Sequence, residues 1–171
     1  MSFKGSLQNP TIRFLLSILG LYLLWYILYK TIIQPMNHVD MFVINITISI
    51  SKWILELFNY QVFTGTERVI GVDGTGGLWI GDNCNGITLF ALFSWFIVAY
   101  KGKIKHKIPY ILFGIITIEL LNVFRIVGLA ILDTISRAWT EFNHTYTFTI
   151  LIYGYIFLLW MIWVNRYSQK E

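Results

Sequence analysis

The chain has 171 residues, of which 56% are apolar, 18% aromatic and 13% charged, against about 25% charged in an ordinary soluble domain. That composition excludes a water-soluble globule and reads as a small integral membrane protein. The net charge of +4 does not point to nucleic acid, because the basic residues sit in short flanks beside apolar runs, where lipid headgroups and membrane orientation account for them.

Residues 1–13 are polar and carry Lys4 and Arg13, and 14–33 form an apolar run interrupted by Ser17, Lys30 and Thr31. At 1.5 Å per residue this run spans roughly 30 Å, the thickness of a bilayer core. A cleavable signal peptide would have a shorter core and a small-residue cleavage site, which Thr31-Ile32-Ile33-Gln34-Pro35 is not. The run is expected to be an uncleaved anchor.

Segment 41–59 is also apolar, but Asn45, Ser49, Lys52, Glu56 and Asn59 recur at steps of three and four and draw one polar stripe along a helix. Segment 61–82 changes character. Val62, Phe63, Thr64, Val69, Ile70 and Val72 favour strands, and Asp73-Gly74 with Gly76-Gly77 supplies turn chemistry, so a small β-hairpin outside the bilayer is expected. No Gly-Lys-Ser/Thr follows, which argues against a phosphate-binding loop.

Gly81-Asp82-Asn83-Cys84-Asn85-Gly86 comes next and holds the only cysteine. One thiol cannot make an intramolecular disulfide, and no Cys/His spacing suits zinc, so neither a metal nor a cofactor is expected. A cysteine at the first turn of the following helix would sit near backbone N–H groups that favour thiolate, which makes Cys84 a candidate nucleophile. A lone cysteine is more often an inert small hydrophobe.

Three further spans are expected at 85–100, 108–132 and 145–164, with Lys101, Lys103, Lys105 and Lys107 packed between the first two. A short lysine-rich loop marks the cytoplasmic side. The basic N-terminus, Arg166 and Lys170 belong on that side too, so the number of crossings is even. The spans are then 14–33, 85–100, 108–132 and 145–164, and 41–59 remains as an interfacial or re-entrant helix on the outer face. Asp40, Glu56, Glu67, Asp73, Asp82, Asp133 and Glu141 all fall outside in this orientation. The expected fold is an all-α integral membrane protein of one domain, 1–171, with about four transmembrane helices, one outer-face helix and a small extracytoplasmic hairpin.

This topology brings Cys84, Arg125 and His144 to the outer membrane face. Arg125 lies two turns before Leu132, roughly 10 Å below the end of its helix, and its side chain can snorkel up. An arginine inside a span costs roughly 2.5 to 3.5 kcal/mol on insertion scales and usually faces a polar cavity. The plain alternative is an ion pair with Glu119, on the same helical face through Asn122. His144 is the group that can take a thiol proton and return it to a leaving amine. His38 is the rival base on the outer face, while His106 sits in the cytoplasmic loop.

Cys-Asn-Gly opening one helix, Asn-Val-Phe-Arg near the outer end of the next and Asn-His leading the last resemble the exosortase/archaeosortase family, over about residues 60–165. The small size looks most like the F-type exosortases of Bacteroidetes. The resemblance implies a catalytic Cys84, Arg125 and His144, around which Asn122, Glu119, Asn83, Asn85 and Gly86 are expected to act in support. Asn85 is a departure, since many relatives have Ser or Ala there. The resemblance also implies a cysteine protease or transpeptidase of the inner membrane, with its site on the periplasmic or outer face. Its targets would be exported proteins ending in a short motif, a membrane helix and a basic tail, and an acceptor amine or hydroxyl could release the thioester. The non-enzymatic alternative is a membrane scaffold or translocation subunit with a buried Arg125/Glu119 latch. A transporter is a weaker one, because few spans carry polar groups.

Overall fold

A computed structural model describes residues 10–65 and 68–167. Lys4, Glu67 and Lys170, and the side chain of Asn83, lie outside the described part. The first helix, α1 (Pro10–Leu28), continues through a π turn (Tyr29–Ile33) and a last turn (Gln34–Met36). After it come α2 (His38–Leu57), strands β1 (Val62–Thr64), β2 (Val69–Val72) and β3 (Leu78–Trp79), then α3 (Ile87–Ala99) and α4 (Ile104–Asp133). The chain ends with α5 (Arg137–Phe142), a π turn (Asn143–Thr147) and α6 (Phe148–Arg166).

Helix α1 is clothed in leucines that face outward, including Leu15, Leu19 and Leu23, as a helix in contact with lipid requires. Two of its hydroxyls close on their own backbone: Ser17 Oγ donates to the carbonyl of Arg13 (2.8 Å) and Thr31 Oγ1 to that of Ile27 (2.7 Å), so neither of these is left unpaired in hydrocarbon. Phe14 stands edge-on to Phe96 and Tyr100 at the far end of α3. At the other end of α1, Gln34 Nε2 donates to Asp82 ahead of α3. The two helices are therefore antiparallel.

The expected hairpin is a three-stranded antiparallel meander, β1-β2-β3, with Val62 opposite Val72 and Ile70 opposite Leu78. Its second turn uses the glycines the sequence singled out, Gly74 and Gly77, at φ +86° and +73°. The third strand is only two residues long, too short to show as a pattern of alternation.

Four helices are long and apolar enough to cross a membrane among the described residues: Thr11–Met36, His38–Leu57, Ile104–Asp133 and Arg137–Arg166. Length and composition thus include α2, which the sequence sets aside, and leave out α3, which has 13 residues. The contacts sort these two helices differently. Cys84 at the head of α3 meets His144 ahead of α6, and just past its foot the carbonyl of Lys101 accepts a bond from Trp163 Nε1 near the end of α6 (3.3 Å). Helix α3 with its flanking turns therefore covers the depth that α6 covers. Both ends of α2 are tied to the sheet: Arg68 Nη2 donates to Asn37 Oδ1 (2.7 Å) at its start, and its other end leads into β1. The stripe of Asn45, Ser49 and Glu56 faces outward, opposite the buried Ile44, Thr47, Ser51 and Leu55.

Two apolar cores result. One, at the sheet end, joins Ile44 and Leu55 of α2, Ile70 and Leu78 of the sheet and Val123 to Ala130 of α4. The other, toward the lysine loop, joins Phe93, Ile118, Ile156 and Trp163. Helices α3 and α4 approach so closely there that a Cβ on Gly114 would lie 2.1 Å from the ring of the fully buried Phe93, the small-residue packing common between membrane helices.

Candidate active site

Cys84 closes a 3-10 turn, Asp82–Cys84, with its N–H bonded to the carbonyl of Gly81 (2.8 Å). The expectation of a thiol in the first turn of the helix is corrected here. Gly86 takes φ +80°, which interrupts the helical run, and α3 begins only at Ile87. Asn85 Oδ1 accepts the N–H of Ile87 (3.0 Å) and so occupies one of the donors that was expected to favour the thiolate. Asn85 is fixed from behind in turn. Its Nδ2 donates to Asp40 Oδ1 (2.5 Å), which also accepts from the hydroxyl of Tyr29 (2.8 Å), and Asp40 and Asn85 are completely buried.

The groups beside the sulfur come from elsewhere in the chain. Arg125 Nη2 lies 3.4 Å from Cys84 Sγ and 2.8 Å from His144 Nε2, and Cys84 Sγ lies 3.5 Å from the same imidazole nitrogen. A guanidinium can only donate, so the Arg125 contact makes His144 Nε2 the acceptor and leaves the imidazole proton on Nδ1. That is the tautomer a proton acceptor for the thiol must have. The π turn Asn143–Thr147 widens the chain where His144 leaves it, a feature common at functional positions.

Asn122 Nδ2 donates to the carbonyl of Cys84 (3.3 Å) and holds the thiol's backbone against α4. Glu119 does not pair with Arg125. Its carboxyl accepts from Thr47 Oγ1 (2.6 Å) and lies 3.5 Å from where a Cβ on Gly86 would stand. His38 is exposed at the start of α2, and His106 packs against Tyr167 at the lysine end; neither meets Cys84 among the described residues. No cluster of three or more His, Cys, Asp or Glu that could hold a metal occurs among the described residues.

Asp82, one residue removed from the thiol's neighbour, does not press an open negative charge on it. Arg68 Nη1 pairs with Asp82 Oδ1 (2.5 Å) and Gln34 Nε2 bonds Oδ2 (3.2 Å). The bond from Arg68 holds the Asp82 carboxyl below the usual carboxylate range. Nothing in the sequence marked Arg68, because the partners are separated by the whole β2–β3 turn. A carboxyl lowered by folding stabilises the fold fully above its ordinary pKa and loses that contribution as pH falls through the lower folded value. The melting-temperature gap between the wild type and Arg68→Met should therefore be constant from about pH 6 to 8 and close below about pH 4. A gap that persists in acid would assign the role of Arg68 to its contacts with Trp79 and Asn37 instead.

The family model for transmembrane exosortases matches residues 6–165. No curated protein and no solved structure matches the chain. The match takes in the multi-pass bundle, the sheet and the three converging side chains together, and the chain belongs to the transmembrane exosortase family.

Proposed function

We propose that this protein is a membrane-embedded cysteine peptidase or transpeptidase that cuts the C-terminal sorting signal of exported proteins through a thioester on Cys84. The observation that carries this reading is the three-way meeting of Cys84 Sγ, Arg125 Nη2 and His144 Nε2 within 3.5 Å. Arg125 is 8% exposed, and its Nε is buried with no partner among the described residues. A buried donor left open beside a nucleophile is a natural place for substrate oxygen.

The steps follow from these groups. His144 Nε2 takes the thiol proton as Arg125 turns from the imidazole toward the incoming carbonyl. The thiolate attacks the carbonyl carbon, the C=O pair moves onto oxygen, and Arg125 donates to that oxyanion. The imidazolium then gives its proton to the amide nitrogen, the C–N bond breaks, and the membrane segment leaves as an amine. The exported part remains as a thioester. Water, an amine or a hydroxyl yields its proton to His144, attacks the thioester carbon and expels the sulfur, which recovers the proton.

In this reading the protein resides in the cytoplasmic membrane, with the lysine loop inside and the sheet end on the periplasmic or outer face. Helix α2 lies along that outer face, where its exposed stripe meets water and headgroups. Its targets are exported proteins with a C-terminal motif, a membrane helix and a basic tail. A cavity of about 460 Å³ between α3 and α6, lined by Cys84, Thr88, Leu89, Arg125, Thr149 and Tyr153, suits the top of that target helix.

The test is to co-express a candidate target, trap a covalent adduct on Cys84 and identify the fragment by mass spectrometry. The expected product is the exported part joined through its new C-terminus to the sulfur. Processing that proceeds with Cys84 free of acyl fragment, and unchanged when His144 is removed, would end the thioester scheme.

A further inference from the structure

The short strand β3 has one edge paired and one free. The N–H of Ile80 donates to the carbonyl of Arg68 (2.8 Å), and Ile70 stands opposite Leu78. In an antiparallel ladder these alternate with the non-bonded pair Val69 and Trp79, so the N–H and C=O of Trp79 point away from β2. Neither has a partner among the described residues. The preceding outward carbonyl, that of Gly77, is taken by Arg137 Nη1 (3.1 Å), which closes the edge on that side and leaves Trp79 as its open step.

That step borders the catalytic sulfur. A cavity of about 410 Å³ is lined by Trp79 and Ile80 on the sheet side, by Thr140 and Glu141 of α5 opposite, and by Cys84 and His144. This volume lies within the range of ligand sites. The Trp79 ring is held back over the strand: Arg68 lies 5.9 Å from its centroid, and a Cβ on Gly81 would meet the ring at 2.5 Å. The edge is thus kept clear in front of the cavity.

We infer that the target's extended segment is recognised by strand addition, pairing its backbone with the N–H and C=O of Trp79 and lying in this cavity with its scissile carbonyl at Cys84. The inference rests on the peptidase reading and adds the mode of recognition. Main-chain bonds supply affinity in such a mode, and the flanking pockets supply side-chain choice. Because a strand pairs at alternate residues, the backbone N–H groups of the target are not equivalent.

The test uses the full-length protein in detergent and a series of capped tetra-alanine vinyl sulfones carrying one N-methyl group at each position in turn. Labelling of Cys84 is followed by mass spectrometry, with iodoacetamide as a probe that needs no backbone pairing. One position, with its adjacent neighbours spared, should lose about tenfold in labelling rate on N-methylation. Trp79→Pro, which removes an edge N–H outside the ladder, should lose about as much, and Trp79→Ala much less. Iodoacetamide labelling should be unchanged in both. N-methylation that costs the same at every position, or a peptide-to-iodoacetamide ratio equal in the wild type and Trp79→Pro, would overturn strand addition. Neither result touches the thioester reading, which fails separately if peptide labelling is indifferent to His144 and Arg125.

Discussion

With Cys84 replaced by alanine, the proposed processing of a sorting-signal target should fall to background, and with Arg125 replaced by lysine it should fall about 10²- to 10³-fold. The first follows from the absence of any other thiol in the chain. The second follows from geometry. One guanidinium nitrogen reaches both Cys84 Sγ (3.4 Å) and His144 Nε2 (2.8 Å), while Nε stays buried and uncommitted. A lysine ammonium keeps the positive charge but is a compact, strongly hydrated group without the planar fork. Its three N–H donors leave a single atom, so it does not reproduce the separation between Nη2, which meets the imidazole and the sulfur, and the uncommitted Nε. The measurement is the rate of target cleavage beside the rate of iodoacetamide alkylation. Arg125→Lys should alkylate within a few-fold of wild type while losing cleavage. Wild-type cleavage by Arg125→Lys would remove Arg125 from oxyanion stabilisation, and unchanged cleavage by Cys84→Ala would remove the thioester itself.

Much of this arrangement was legible in the residues because a bilayer limits the choices. Long apolar runs, a lysine-rich loop and acidic flanks limit which ends of the helices can lie together, and the expected topology puts Cys84, Arg125 and His144 at one end of the bundle, where their side chains meet. What the sequence hid is set by contacts between distant segments. The polar stripe of Asn45, Ser49 and Glu56 was visible, but the face that packs inward, with Asp40 and Thr47, is defined only by Asn85 and Glu119 across the fold. The helix start at Ile87 turns on the positive φ of Gly86; the apolar run beginning at Ile87 gave no sign that the thiol stands in a separate turn. Arg68 carried no mark in the sequence. Its place between Asp82, Asn37 and the Trp79 ring emerges only once β2 and β3 are paired. The latch between Arg125 and Glu119 was a fair inference from helical spacing, yet the two groups turn to different partners, one to the sulfur and one to Thr47.

Asn85→Asp should destabilise the protein by about 3 kcal/mol or more and abolish processing, and adding Asp40→Asn should restore most of both. Asn85 is completely buried, with Oδ1 taken by the N–H of Ile87 and Nδ2 donating to Asp40 Oδ1. The substitution keeps the shape but turns a donor into an acceptor, so two carboxyl oxygens face each other at hydrogen-bond distance in a fully buried site. Removing one partner from such a buried polar pair costs on the order of 3 to 5 kcal/mol when charge is left uncompensated. The strain falls on the residue after the thiol, and a sulfur displaced by even about 1 Å loses its alignment with His144 and Arg125. In the double variant the pair is simply reversed: the new amide at position 40 donates to the new carboxylate at position 85. That carboxylate still accepts from the N–H of Ile87, and the Tyr29 hydroxyl remains beside position 40 as donor or acceptor. Thermal unfolding in detergent, together with the ratio of target cleavage to iodoacetamide alkylation, reads the cycle. A strongly non-additive rescue, with coupling of about 2 kcal/mol, marks the Asp40–Asn85 pair as the support on which the thiol turn is built. Additive losses would show instead that Asp40 serves α1 through Tyr29 and that the thiol turn is held from α4 by Asn122.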